Sequence, residues 1–336
     1  MKSGNYGKKL LIAFAALAFA FPSIAIAASH ALIMAIDAYE GPSPLPGVAH
    51  DVPLAVEMAR RIGVPKENIL LSRNKSLTLP GMRFTLIRFL SQVNVGDEAF
   101  VYYSGHGARE NNPNTPSGCT EAMVTLNGDL LLDTEIARWL SSVGQKANKL
   151  IFMNDSCFSG GAVTRGPNKY PEYQPKLYKP GNSTECSDPV NFKALFKKPD
   201  SVGTNAVYIA ASREDELSFA GPRGSVGTLA WLACLTRGSN SILNGDQLRA
   251  CAQARIDEDR RFPRQRITVL GNNRVPLSFL PPVDENRRHE RAFYWRVIRF
   301  ALVNRYNGQR IAYRHDLAPQ TETRLRRSFR RVIRPC

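Results

Sequence analysis

Acidic side chains are scarce in this 336-residue chain: 29 Asp and Glu stand against 45 Lys and Arg, leaving a formal net charge of +16. The shortage is local, because residues 283–336 hold 14 arginines against five acids, a surplus of +9. Beyond residue 27 no apolar run approaches the roughly 20 residues that span a bilayer, so no later membrane-crossing helix is expected. Also missing are Cys and His pairs at zinc-ligand spacing, a phosphate-cradling glycine loop and a dinucleotide fingerprint. His50, His289 and His315 have no partner at ligand spacing either, so the residues predict no metal site and no cofactor. Cysteines are few: Cys119, Cys157, Cys186, Cys234, Cys251 and Cys336.

Lys2, Lys8 and Lys9 precede an apolar core at residues 10–21, and Ala25-Ile26-Ala27 forms a small-x-small cleavage site. This pattern predicts a signal peptide over residues 1–27 and an exported, periplasmic or secreted product. Export places the thiols in an oxidising compartment, where most pair while a nucleophile must stay free. Cys234 and Cys251, on neighbouring helical patterns, make the first candidate bridge. Cys119 with Cys186, joining two loops, makes the second and leaves Cys336 over.

The 309 residues that remain (336 − 27) suffice for one large α/β domain with an extension. Apolar strand patterns at 31–36, 69–71, 98–103, 149–153 and 206–211 alternate with helical patterns at 52–62, 81–93 and 134–143. That alternation predicts a mostly parallel sheet flanked by helices on both faces. Residues 122–126 and 130–132 read as a small hairpin around Asn127-Gly128, and two further helical patterns at 227–236 and 245–259 lead to an extended segment at 265–279. The stretch 164–200 is rich in Pro, Gly, Lys and Tyr, and is longer than the roughly 15 residues usual for a structureless connection. It is either a solvated surface loop or a functional one, and it carries Arg165, Lys169, Lys176, Lys179, Lys197 and Lys198. The domain would run over 28–282, followed by a basic helical extension at 283–336.

Two strands end in glycine-flanked motifs, Tyr-Tyr-Ser-Gly-His-Gly at 102–107 and Asn-Asp-Ser-Cys-Phe-Ser-Gly-Gly at 154–161. Open α/β sheets put their chemistry at this edge. A histidine and a cysteine delivered there form a general acid/base and a nucleophile, so His106 and Cys157 are the candidate catalytic pair. The backbone N–H groups of Gly107 and Cys157 are the candidate oxyanion hole. Asp155, two residues before Cys157, projects to the same side of its strand and would favour a cationic substrate side chain.

Ser-Gly-His-Gly and Asp-Ser-Cys-x-Ser-Gly-Gly, together with segments across residues 30–280, resemble the metacaspases, caspase-fold cysteine peptidases. The separation of 51 positions between His106 and Cys157 is close to the roughly 50 of caspases. The resemblance implies a caspase-like α/β fold and a cysteine endopeptidase that cuts after Arg or Lys through an acyl-enzyme. It assigns the basic pocket to Asp51, Ser104 and Asp155, with Val48 standing where the family carries a cysteine. Asp51 also stands where a helix N-cap would. In caspase-like peptidases the chain after the cysteine holds processing sites, so the resemblance would make the 164–200 stretch a processing linker. Many metacaspases need calcium, but here Asn127 and Thr164 replace two of the family's acidic positions and Asp133 alone matches, with Asp129 as a substitute nearby, so no calcium requirement is expected. The expected partners are peptides with Arg or Lys before the cleaved bond, and an anionic membrane surface or polyanion for the tail, with no specific nucleic acid. The competing reading is a catalytically inactive caspase-fold binding module whose working surface is that tail.

Overall fold

A computed structural model describes residues 27–111, 119–157, 170–179, 196, 205–213, 216–235, 242–260 and 262–280. The expected signal peptide, most of the 164–200 stretch, Cys186, Cys336 and the basic extension lie outside these residues, as does the side chain of Cys119. All described residues belong to one compact unit that ends at Leu280.

In chain order the strands are β1 (Ser29–Ala35), β2 (Ile69–Arg73), β3 (Glu98–Ser104), β4 (Gly107–Asn111), β5 (Cys119–Val124), β6 (Leu130–Leu132), β7 (Lys149–Asp155), β8 (Gln174–Pro175), β9 (Leu177–Tyr178), β10 (Ala206–Ala210), β11 (Phe219–Gly221), β12 (Gly224–Ser225) and β13 (Thr268–Gly271). The helices are α1 (Asp51–Ile62), α2 (Leu79–Gln92), α3 (Asp133–Lys146), α4 (Val226–Cys234) and α5 (Gly245–Glu258). Six strands form the main sheet in the order β13-β10-β7-β3-β1-β2. Every neighbouring pair is parallel except β10 with β13.

The continuous apolar runs of β3 and β7 follow from burial on both faces. Alternate residues separate two cores. Leu32, Met34, Val101, Tyr103, Leu150 and Phe152 face Leu86 and Phe89 of α2 and Trp139, Leu140 and Val143 of α3. Ile33, Phe100, Tyr102, Ile151 and Met153 face α1, α4 and α5 through Met58, Trp231 and Leu248. Helix α1 carries its buried Val52, Ala55, Met58, Ala59 and Ile62 on one stripe and ends at Gly63, whose φ of 112° is the left-handed conformation that closes a helix. Cys234 of α4 is bonded to Cys251 of α5.

The hairpin expected from Asn127-Gly128 is larger than its sequence signal. Strands β5 and β6 pair antiparallel, but β4 and β9 extend them to a four-stranded sheet in the order β6-β5-β4-β9. Residues 107–111 lack an apolar alternation, which is why the sequence did not mark β4 as a strand. The 164–200 stretch is likewise not structureless throughout. Its residues 174–175 pair antiparallel with β11, and 177–178 pair parallel with β4.

Candidate active site

Strands β3 and β7 lie side by side with Ser104 opposite Asp155. Two residues beyond each come His106 and Cys157, so the register delivers both motifs to the same sheet edge. Gly107 is pressed against the second motif: a Cβ there would stand 1.7 Å from the Cys157 carbonyl oxygen. Only glycine permits that approach.

His106 is buried, with its backbone N–H donating to the Tyr39 hydroxyl at 2.6 Å. Its ring Nε2 lies 2.7 Å from the Ser43 carbonyl oxygen, and that acceptor requires the proton on Nε2. Nδ1 therefore carries the lone pair, and it has no hydrogen-bond partner among the described residues. The loop bearing Ser43 is tied down by Leu45 N–H donating to Asp37 and Glu40 N–H donating to Leu126. Burial lowers the imidazole pKa, and the positive charge of Lys176 lowers it further, so the ring rests neutral. The Ser43 contact comes from a backbone carbonyl and has no side-chain signature in the sequence.

Cys157 is a free, buried thiol. Its Sγ accepts a hydrogen bond from Ser218 N–H at 2.9 Å, which favours the thiolate, but burial outweighs this and pushes the pKa up to about 12. The thiol is protonated in this conformation.

Asp51, Ser104 and Asp155 come together in one buried pocket. Asp51 is the first residue of α1 rather than its cap. Its carboxylate turns inward to accept from Ser104 Oγ at 2.6 Å and from the Ser225 N–H at 2.7 Å. Asp155 accepts from Ser218 Oγ at 2.6 Å and from Thr228 through both N–H (2.8 Å) and Oγ1 (2.7 Å). Burial raises the Asp51 pKa and the neighbouring Asp155 charge adds to this, against the opposing ammonium of Lys176.

That ammonium fills the pocket. Lys176 is fully buried, and its Nζ lies 2.9 Å from Asp155 Oδ1, 2.7 Å from the Asp155 carbonyl oxygen and 2.8 Å from Ser104 Oγ. Asp51 Oδ2 stands 3.7 Å away. Three acceptors within hydrogen-bond reach match the three protons of an ammonium group. The backbone of Lys176 is held as firmly, its N–H donating to Ser218 O at 2.9 Å and its carbonyl accepting from Gly107 N–H at 2.9 Å. Gly107 is one of the two expected oxyanion donors.

Sequence reasoning missed Ser218, Ser225 and Thr228, the hydroxyl-bearing residues that hold the two carboxylates. The glycine-punctuated run from Gly221 to Gly227 marks a tight segment, but single serines and threonines within it carry no pocket signature. Lys176 was one of seven basic residues in the long stretch, with nothing in the sequence to set it apart.

A calcium site does not fit these residues. Asp133 is buried, accepts from Thr120 Oγ1 at 2.5 Å and has a pKa raised by burial, which favours its neutral form.

The sequence model of the caspase-domain family matches residues 28–255. Among curated proteins the chain is similar to Metacaspase-6 of Arabidopsis thaliana, 28% identical over 166 residues, covering 47% of this chain and 45% of that protein. It is similar also to Metacaspase-4 of the same plant, 25% identical over 170 residues, covering 47% and 40%. The chain thus matches less than half the length of these relatives. A solved structure of a Geobacter sulfurreducens protein superposes with a TM-score of 0.56 at 16% identity, covering 76% of this chain and all of that one, a likeness of fold alone.

Proposed function

Because this chain belongs to the caspase-domain family, we propose that it is a cysteine endopeptidase of metacaspase type, held latent by its own Lys176 and cutting after lysine or arginine. The observation that carries this reading is the pose of Lys176, with its ammonium between Asp51 and Asp155 and its carbonyl on the Gly107 N–H. A substrate's basic residue would bind in the same way, and the bond next to that carbonyl, Lys176–Leu177, is the natural self-cleavage site.

In turnover His106 Nδ1 takes the Cys157 proton, and Sγ adds to the scissile carbonyl carbon. The resulting oxyanion gains the Gly107 N–H, while the Ser43 carbonyl steadies the imidazolium through Nε2–H. Collapse breaks the C–N bond as the imidazolium gives its proton to the leaving amine. Water, deprotonated by the neutral imidazole, then hydrolyses the thioester and restores the thiol.

The resting arrangement opposes the first step, since burial keeps the proton on sulfur and depresses the base that should receive it. Latency follows until the segment loosens and water reaches the thiol. Export is part of the proposal. The Cys234–Cys251 bridge supports an oxidising compartment, and removal of the leader after Ala27 is tested by the N-terminal sequence of the exported protein. The basic extension would bind acidic vesicles or polyanions in a salt-sensitive way, and a truncation at residue 282 that binds them equally well would refute that role.

The enzyme reading is tested by offering self-cleaved protein peptides with Arg, Lys or Asp before the cleavable bond, beside Cys157→Ala. Turnover of the basic peptides alone, absent in the variant, is expected. No turnover, or equal turnover by the variant, would favour the inactive binding module.

A further inference from the structure

Asp97 precedes β3 at the end of the strand opposite Ser104 and His106, and it is only 5% exposed. Its backbone is fixed from both sides, its N–H donating to Asn94 O at 3.2 Å and its carbonyl accepting from Asn148 N–H at 2.7 Å. The carboxylate accepts from Asn94 N–H through Oδ2 and from Ala28 N–H through Oδ1, both at 2.8 Å. Among the described residues its one ionic partner is His30, whose Nε2 stands 3.3 Å from Oδ2 without making a hydrogen bond. A histidine supplies charge only when protonated, so this partner is not a permanent cation. Burial raises the Asp97 pKa, but the two N–H groups and His30 outweigh it and hold the carboxyl below its ordinary range, so the negative charge stays.

Ala28 is held on its other side too, its carbonyl accepting from Glu98 N–H at 2.8 Å just before the β1–β3 pairing begins at Ser29 and Glu98. Ala27, by contrast, is exposed. The backbone nitrogen against the buried carboxylate is thus the one that hydrolysis after Ala27 turns into a chain terminus. Water adds across that amide bond, Ala27 leaves with the new carboxylate, and Ala28 keeps the nitrogen, which takes a proton to become an ammonium group. One of its protons keeps the Asp97 bond, and the others face the solvent around Ala27.

We propose that Asp97 is the binding site for a free α-ammonium group, the one that leader removal creates on Ala28, and that processing thereby locks β1 onto β3. This rests on cleavage after Ala27 and not on the peptidase reading. A neutral hydrogen bond becomes a charge-assisted one in a desolvated setting, which roughly doubles its strength. The precursor lacks that lock, so the domain reaches full stability only once the leader has gone. Strand β1 leads into the loop whose Ser43 carbonyl orients His106, so the lock steadies the strand that carries this loop.

The test uses residues 28–336 in the Cys157→Ala background, made with a free Ala28 amine, with that amine acetylated, and with the leader residues from Ala25 retained. Acetylation restores the neutral N–H and removes only the charge. The free-amine protein is expected to melt about 2–6 °C above the other two, and Asp97→Asn, which keeps an acceptor without the charge, should close most of that gap. Acylation of the α-amine by a limiting amine-reactive ester near pH 7 should be at least about tenfold slower in the folded protein than in guanidinium, a reading that stands even where Asp97→Asn does not fold. Equal melting of the free and acetylated chains, a gap that survives Asp97→Asn, or equally fast acylation would overturn the Asp97 site while leaving leader removal standing. An exported protein that begins at any residue other than Ala28 would overturn the processing reading and the site with it.

Discussion

Replacing Lys176 by methionine keeps most of the stem's volume and removes the ammonium from a fully buried site. Asp155 loses a 2.9 Å ionic partner and Asp51 one at 3.7 Å, and Ser104 Oγ loses a charged donor at 2.8 Å. Breaking a buried ion pair from one side costs about 3–5 kcal/mol, because the stranded carboxylates stay desolvated. In a domain of this size about 1 kcal/mol shifts the thermal midpoint by roughly 2–4 °C, so the variant should melt about 6–20 °C below the uncleaved parent. The sign with pH is a second check. Without the cation, burial and the neighbouring Asp155 charge hold the Asp51 carboxyl above its unfolded pKa with nothing to oppose them, so the folded form binds a proton more tightly than the unfolded one. Stability of the variant therefore rises as pH falls from neutral toward the ordinary carboxylate range, and its deficit against the parent narrows. Calorimetry of the Cys157→Ala background, which cannot cut itself, measures both effects. An unchanged melting point at pH 7.5, or a deficit that widens in acid, would refute the pairing. In the Cys157-intact protein the same substitution should abolish self-cleavage after residue 176, and a fragment of unchanged mass would refute the assignment of that bond.

Thiol alkylation reports latency directly. With its pKa near 12, Cys157 at pH 7.5 holds roughly a thousandfold less thiolate than an ordinary cysteine, so it should resist iodoacetamide until the Lys176 segment is displaced, and early labelling would contradict the burial. Gly107→Ala drives a Cβ against the Cys157 carbonyl, so the folded variant should lose at least about a hundredfold in peptide turnover, and near-parental activity would show that the oxyanion donor is elsewhere. Changing Cys234 and Cys251 together to serine opens a bridge spanning 17 positions, with an expected loss of about 3 kcal/mol in denaturant unfolding. Unchanged stability would mean the reduced chain is already constrained there.

The sequence by itself determined the sheet and the two motifs. Runs as apolar as residues 99–103 and 150–153 have no soluble fate except burial on both faces, and strands alternating with amphipathic helices admit little but a parallel sheet. From there His106 and Cys157 fall at strand ends, and Asp155 takes the side of its strand that Cys157 takes. Contacts between distant, ordinary residues were decided only by the tertiary structure. The Ser43 carbonyl that orients His106 belongs to the backbone, which the sequence does not differentiate from position to position. Ser218, Ser225 and Thr228 acquire their roles only when the segment around α4 folds over Asp51 and Asp155. Lys176, one basic residue among several in an irregular stretch, is set apart by the short pairings of its neighbours with β11 and β4, which carry its side chain into the pocket. One carboxylate of the pocket, Asp155, can be inferred from its place along a strand, and the family resemblance supplies Asp51. That the pocket is already filled by the chain itself depends on a long-range pairing of two-residue strands, too short to leave a pattern in the sequence.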